Sequence, residues 1–268
     1  MMEMDSLLSE RRVVIAPIGW YEGRLYKSIF ESSPDKVYLI KDSKRGKIAA
    51  ITKLVAQRIK ERLLTTPHGR EIVDIQEEVA DLRDYEKTFH LFVKIIETER
   101  TLTRDSRILI DLSSATKEAT IAAALVSRFY KVSLSYVPPE EKSPELKSEV
   151  PWSRTMKRLE RAMADTGGER LLLPVPAAPL QDQWIRALVE VYALQSATRS
   201  EVINALADKD KARAFGTAYR YWSRVLDKLE SEGLVETTGN KKKAQMSLSL
   251  LARPLVAGLV EVRRKGGH

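Results

Sequence analysis

The chain has 268 residues, of which 43% are hydrophobic and 31% charged, with a formal net charge of +8. This is the balance of a globular protein long enough for two domains. The absence of cysteine and the three scattered histidines exclude disulfides and argue against a metal site. Because no apolar run has membrane-spanning length and no signal-peptide core begins the chain, we expect a cytoplasmic protein without membrane contact.

The first half of the chain alternates runs typical of strands with patterns typical of helices. Strands are predicted at 13–18, 36–40, 71–75, 107–112 and 131–137. Helices are predicted at 23–32, 47–64, 85–100 and 116–130, and the third places Phe89, Phe92 and Val93 on one face. This alternation predicts an α/β fold, a Rossmann-like domain with a mostly parallel sheet over residues 1–140.

Proline marks a connector between this domain and the rest of the chain. Pro138 and Pro139 come directly before it, and Pro151 and the prolines of "LLLPVPAAP" (171–179) lie within it. Proline forbids helix interiors and disfavours central strands. We therefore predict a connector over residues 141–180, holding one helix at about 152–164 and one short edge strand.

From residue 181 onward the pattern is first helical and then extended. Helices are predicted at 181–194, 198–207 and 212–232, with a Thr198–Glu201 capping box and a terminal Gly233. The segments "LVETT" and "AQMSLSL" flank the turn "GNKKK" as a β-hairpin. Three helices followed by a hairpin predict an α+β winged helix-turn-helix domain over residues 181–268.

This second part of the chain carries most of the positive charge. Residues 181–268 hold fifteen Lys plus Arg and ten Asp plus Glu, a net of +5. The third helix and hairpin resemble the recognition helix and wing of winged-helix transcription regulators, which implies contact with double-stranded DNA. The alternatives are a solvated basic face and a soluble turn. The candidate DNA-binding residues are Arg213, Thr217, Arg220, Tyr221, Arg224, Lys241, Lys242 and Lys243.

Two loops of the first domain have the character of a ligand site. "APIGWYEGR" (16–24) follows the first strand, and "DLSSATKEA" (111–119) joins the fourth strand to a helix. Ligands of open parallel sheets lie at the carboxyl ends of the strands. The helix start, its hydroxyl side chains and Lys117 favour a phosphate, although an ordinary helix cap is the alternative. Neither the P-loop nor the dinucleotide fingerprint is present in the sequence.

The second loop also resembles a known family motif. "ILIDLSSATKEATIAAAL" (108–125) is similar to the second motif of CARF domains, the CRISPR-associated Rossmann folds, with Ser114 and Ala115 in place of the usual glycine pair. "PIGWYEGRLYKSI" (17–29) resembles the first CARF motif. The candidate ligand-binding residues are Ile18, Gly19, Trp20, Tyr21, Gly23, Arg24, Asp111, Ser113, Ser114, Ala115, Thr116 and Lys117.

The order of domains resembles CRISPR-associated, mainly archaeal, CARF transcription regulators. The resemblance implies a homodimer whose two CARF domains share one pocket for a cyclic oligoadenylate, a signal of antiviral defence, and no further cofactor. Cyclic tetra-adenylate is favoured because its symmetry can match a two-fold axis. Two alternatives stay open: a ring nuclease that cleaves the cyclic ligand in the same pocket, and a regulator that senses another nucleotide. No catalytic residue is predicted.

Overall fold

A computed structural model describes residues 11–43, 47–65, 73–103, 105–139, 164–173, 180–195, 197–239 and 244–265. The chain divides into two compact units, Met1–Ala178 and Pro179–His268. Within these described ranges, every helix is too short or too polar to cross a membrane.

The first unit is built on a mostly parallel, six-stranded sheet. Its strands are β1 (Arg12–Pro17), β2 (Lys36–Asp42), β3 (Asp74–Ala80), β4 (Arg107–Asp111), β5 (Ser133–Tyr136) and β6 (Leu171–Leu173). They are arranged in the order β3-β2-β1-β4-β5-β6, and only the β5–β6 pair is antiparallel. The predicted mostly parallel α/β sheet is therefore confirmed. The short β6 lies at its edge, and its antiparallel direction is a finding of the structure.

Among the described residues, four helices connect β1 to β5 and bury the faces of the sheet. They are α1 (Glu22–Ser32), α2 (Lys47–Thr65), α3 (Tyr85–Leu102) and α4 (Lys117–Phe129). Residues of α1 and α2 pack with Val14, Val37 and Leu39 in one apolar cluster. Phe89 and Phe92 of α3 are fully buried, as the helical periodicity predicts.

The third strand lies further along the chain than the apolar run at 71–75 predicts. It begins at Asp74 and pairs with β2 over seven positions, from Lys36–Asp74 to Asp42–Ala80. Its sequence, DIQEEVA, is mostly polar, and only Ala80 is buried. At the edge of a sheet, pairing with the neighbouring strand decides the register, so an apolar pattern alone locates the strand poorly.

The second unit combines helices with a three-stranded antiparallel sheet. Along the chain lie α5 (Asp182–Leu194), β7 (Ala197–Thr198), α6 (Arg199–Lys209), α7 (Phe215–Ser231), β8 (Val235–Thr238), β9 (Gln245–Leu248) and α8 (Ala252–Lys265). The strands are arranged in the order β7-β9-β8. Sequence analysis missed β7 and α8.

Local signals account for most of this unit. The capping box predicted at Thr198 and Glu201 is present, and Gly233 ends α7 with φ 68°. Pro254 argues against a helix at the sequence level, yet it is the third residue of α8, where its missing N–H costs no helical hydrogen bond. The helix predicted at 152–164 belongs to the connector and not to this unit, and it lies almost wholly outside the described residues. The buried residues of α7 recur at i, i+4, i+7, i+8 and i+11, the spacing of one helix face, so the sequence pattern by itself locates this face: Ala218, Trp222, Val225, Leu226 and Leu229.

A buried charged network joins α3 to the amino ends of the strands. The Glu99 carboxylate, fully buried, accepts from Lys36 Nζ at 2.9 Å and from Tyr38 Oη at 2.5 Å, and its Oε2 lies 3.7 Å from Arg11 Nη1. Burial alone lowers the pKa of Lys36, but hydrogen bonds to Tyr38 and Glu99 outweigh it and raise that pKa above its ordinary value. Burial, together with the bond to Glu99, raises the pKa of Tyr38 to about 12.

These directions fix how the network responds to pH. Lys36 and Tyr38 hold their protons more tightly in the folded protein than in the unfolded chain. Their contribution to the free energy of unfolding is therefore complete below their unfolded pKa values and is lost as the pH rises through the folded ones. The network stabilises the protein at neutral pH and fails in strong alkali.

We predict that Glu99→Gln lowers the free energy of unfolding by about 3 kcal/mol, because it removes the closer and fully buried one of the two carboxylates that pair with Lys36. Urea denaturation at neutral pH measures the change. Glu97→Gln, the same substitution at a half-buried position of α3, serves as the control and should stay near the wild type. Equal midpoints for both variants would show that the network contributes nothing.

Candidate functional site

A cavity of about 200 Å³ lies at the carboxyl ends of the parallel strands. The strand order reverses between β1 and β4, which makes this crevice the topological switch point where open α/β sheets bind ligands. Seven of the lining residues come from the two loops that the sequence singles out. The full lining is Ile18, Gly19, Trp20, Tyr21, Asp42, Thr52, Leu82, Arg83, Ser114, Ala115 and Thr116.

One serine fixes the two loops to each other. The backbone N–H groups of Gly19 and Tyr21 donate to Ser114 Oγ at 3.0 and 3.1 Å. A Cβ atom on residue 19 would lie 2.0 Å from the Ser114 carbonyl oxygen. Only glycine permits this approach, so Gly19 and Ser114 together set the shape of the cavity.

The other hydroxyl groups expected to face a phosphate are engaged by the protein. Thr116 is the N-cap of α4: its Oγ1 accepts from the Ala119 N–H at 3.1 Å and donates to the Leu82 carbonyl at 2.5 Å. Ser113 Oγ accepts from the Val137 N–H at 2.9 Å. Thr116 thus ties the start of α4 to the loop after β3, and Ser113 ties the end of β4 to the end of β5.

Asp111 lies beneath the loop rather than in the cavity lining. Its fully buried carboxyl group accepts from Ser28 Oγ, from Ser135 Oγ at 2.8 Å and from the Ser113 N–H at 2.9 Å. Burial raises the pKa of Asp111, and these hydrogen bonds oppose that shift. The acidic position of the motif therefore organises the end of β4.

Arg24 lies behind the cavity and does not line it. Its guanidinium group stacks on the Tyr21 ring, 3.5 Å from the centroid, and only 3% of the residue is exposed. Nη1 donates to the Val137 carbonyl at 3.3 Å, and Nε lies 3.6 Å from Asp165 Oδ2. Gly23 is buried in the first turn of α1. Arg24 therefore supports Tyr21, and neither of these two predicted site residues is among the lining residues.

Two exposed cations flank the cavity. Lys117 is the first residue of α4, next to the lining residue Thr116, and Arg83 lines the cavity from the loop after β3. Neither forms an ion pair within the described part of the chain. Because a cation at a helix N-terminus is unfavourable without an anion, this arrangement favours a negatively charged ligand.

Sequence analysis missed four residues that line the cavity, Asp42, Thr52, Leu82 and Arg83. Asp42 ends β2, and Leu82 and Arg83 follow the end of β3. No short motif marks them. The available signal was topological, since the carboxyl ends of all the parallel strands meet at one edge of the sheet.

The predicted DNA-binding residues of the second unit differ in how they are engaged. Arg213, Thr217, Arg220 and Arg224 are exposed, and Tyr221 is half-buried. Arg213 pairs with Asp210 at 2.6 Å and stacks on Tyr221 at 4.0 Å. Arg220 and Arg224 form no ion pair with any residue that the structure describes. The three predicted wing-tip lysines, Lys241, Lys242 and Lys243, lie outside the described residues.

Comparisons with known proteins give one partial family match and several remote structural ones. The family model described as "HFX_2341_N:-like, N-terminal" matches residues 12–142. No curated protein matches the chain. Csm6 of Enterococcus italicus, bound to cyclic hexa-2'-fluoro-hexa-dAMP, is 12% identical with a TM-score of 0.43 and covers 84% of this chain and 56% of its own.

Two further solved structures are similarly distant. Can2 of Sulfobacillus thermosulfidooxidans, in complex with cyclic tetra-adenylate, is 13% identical with a TM-score of 0.38, over 94% of this chain and 65% of its own. Protein VC1899 of Vibrio cholerae is 13% identical with a TM-score of 0.36, over 92% and 64%. The chain therefore spans less than two thirds of each of these proteins, and its fold assignment rests on its own strand order.

We predict that Ser114→Ala lowers the free energy of unfolding by ~1–3 kcal/mol, because the Gly19 and Tyr21 N–H groups lose their acceptor. Ser133→Ala, at the exposed first residue of β5, is the matched control. Urea denaturation compares the two variants. A Ser114 variant as stable as the control would show that the two loops hold together without this hydroxyl.

Proposed function

We propose that the protein is a ligand-responsive, DNA-binding transcription regulator that senses a cyclic oligoadenylate, with cyclic tetra-adenylate as the first choice. The observation that carries the proposal is the cavity at the switch point, flanked by Arg83 and Lys117. A nucleotide combines a flat base with a phosphate anion, and this site offers aromatic walls beside exposed cations. The CARF-like motifs on both loops support the same ligand class.

The size of the cavity favours a ligand shared between two subunits. About 200 Å³ is below the ~300–1,000 Å³ of usual small-molecule sites, so a cyclic oligonucleotide must extend beyond it. In a homodimer, a two-fold axis would supply a second copy of the cavity and of both cations. A ring of four adenylates can share that axis, which is why we favour cyclic tetra-adenylate.

The arrangement of the second unit supports DNA binding. A short strand, two helices and a hairpin follow α5 in the order expected of a winged helix-turn-helix domain. Its α7 presents Arg220 and Arg224 on the face opposite the buried one. In this proposal α7 enters the major groove, where arginine reaches guanine edges and phosphates. Lys241, Lys242 and Lys243 would contact flanking phosphates from the wing.

A series of contacts in the first unit offers a route from the ligand to the DNA-binding domain. Tyr21 lines the cavity and stacks on Arg24, which reaches Asp165. The segment after Asp165 is also fastened to α1, since Lys27 Nζ donates to the Gly168 carbonyl at 2.8 Å. This segment leads along the chain to the second unit. Ligand contact with Tyr21 would therefore act on the connector through Arg24.

For ligand binding, Lys117→Ala should weaken the affinity for cyclic tetra-adenylate by about tenfold or more, because it removes a charge-assisted hydrogen bond to phosphate. Lys131→Ala removes the same charge just beyond the other end of α4 and should bind like the wild type. Titration calorimetry with cyclic and linear adenylates measures both.

The same samples separate the alternatives. Ring-specific binding that depends on Lys117 supports the sensor. Linear products in the recovered ligand would favour the ring nuclease. If neither cyclic nor linear adenylates bind at micromolar concentration, residues 113–117 are an ordinary helix cap and the signal is another molecule.

For DNA binding, the double variant Arg220→Ala, Arg224→Ala should weaken binding to duplex DNA. The slope of log K against log salt should fall by about 0.9 for each phosphate that the variant no longer neutralises. Arg186→Ala, at an exposed position of α5, is the charge-matched control for a single arginine. Fluorescence anisotropy over a salt series gives both quantities. An unchanged slope in the double variant would show that Arg220 and Arg224 of α7 do not contact DNA phosphates.

A further inference from the structure

The geometry points to the cavity as a subsite for a nucleobase with an exocyclic amino group, in which the Asp42 carboxyl group accepts a hydrogen bond from that amino group. This inference rests on the proposed function and deepens it. The sequence alone predicts a phosphate in this position. The lining residues instead favour adenine in the space between the loops. The phosphates would then contact the flanking cations.

The walls of the cavity suit a base better than a phosphate. Ile18, Trp20, Tyr21, Leu82 and Ala115 contribute apolar and aromatic surface. A phosphate taken out of water needs several donors in return. A flat heteroaromatic ring instead gains from contact with aromatic side chains.

Two of the three serine and threonine hydroxyl groups in the lining already donate their protons within the protein: Thr116 Oγ1 to the Leu82 carbonyl and Thr52 Oγ1 to the Ala49 carbonyl. Ser114 Oγ accepts from two backbone N–H groups, which leaves its own proton as the one hydroxyl donor of these three for a ligand. The cation with access to the cavity is Arg83, which is exposed. The charged part of a nucleotide is therefore expected at the exposed side and the base inside.

Asp42 is the acidic residue among those that line the cavity. It ends β2, where it pairs with Ala80, and it is only 6% exposed. A carboxylate has about four acceptor positions, so Asp42 can keep its interaction within the protein and still accept from a ligand. Burial close to a ligand surface makes such an acceptor selective, since a mismatched group would leave it unpaired.

This acceptor discriminates between purines. Adenine presents an amino group at its six-position, whereas hypoxanthine presents a carbonyl oxygen there. Asp42 can accept from the amino group but cannot donate to the carbonyl. In this proposal the cavity distinguishes adenine from hypoxanthine by the hydrogen-bond donor at the six-position.

The test compares cyclic tetra-adenylate with cyclic tetra-inosinate by titration calorimetry on the full chain. The wild type should bind the adenylate about tenfold tighter or more, the worth of one charge-assisted hydrogen bond. Asp42→Asn should narrow this ratio to about threefold or less, because an amide can either accept from an amino group or donate to a carbonyl. Asp35→Asn, the same change just before the other end of β2, should keep the wild-type ratio.

The outcomes separate this inference from the proposed function. Equal wild-type binding of both rings would overturn the base subsite while leaving the sensor intact. If Asp42→Asn keeps the wild-type ratio of adenylate to inosinate affinity, Asp42 takes no part in recognising the base. No binding of cyclic adenylate to the wild type would overturn the sensor itself and the subsite with it. The comparison of the two cyclic ligands uses the wild-type protein, so the first outcome does not depend on whether Asp42→Asn folds.

Discussion

The contact between residue 19 and the Ser114 loop is the constraint on which the rest of the site depends. The two loops are far apart in sequence, yet the Gly19 and Tyr21 amides share one hydroxyl acceptor, and no side chain larger than hydrogen fits at residue 19. This closeness creates a crevice between β1 and β4 without a glycine-rich phosphate loop. Trp20 and Tyr21 are held at its wall as a direct consequence.

Polar groups at the two ends of the sheet serve different purposes. At the amino end, Glu99 is surrounded by cations and a tyrosine hydroxyl, and the network fixes α3 against the strands. At the carboxyl end, Asp111 and Thr116 use their hydrogen bonds to organise the loops. Asp111 and Thr116 are thus engaged by the protein, so the cations available to the anionic part of a ligand are the exposed ones, Arg83 and Lys117.

In the second unit, too, some cations are held by neighbouring carboxylates and others are exposed and available to a ligand. Arg199 is held by Asp227 and Glu230, and it fastens α6 to α7. Arg213 is held by Asp210, whereas Arg220 and Arg224 form no ion pair among the described residues. A basic helix face is a weak indicator of DNA binding by itself because many such charges are neutralised by neighbours. The informative observation is which arginines the fold leaves available.

The sequence by itself determined the alternation of strands and helices, the buried face of α7 and the two loops that border the cavity, because periodicity and capping are local properties of the chain. Only the tertiary structure decided that Thr116 bonds to Leu82, that Arg24 lies behind Tyr21, and that residues after β2 and β3 complete the cavity. These facts depend on which strands become neighbours. A polar edge strand such as β3 takes its register from its partner, so no local pattern could place Asp42 and Arg83 beside the loop after β4.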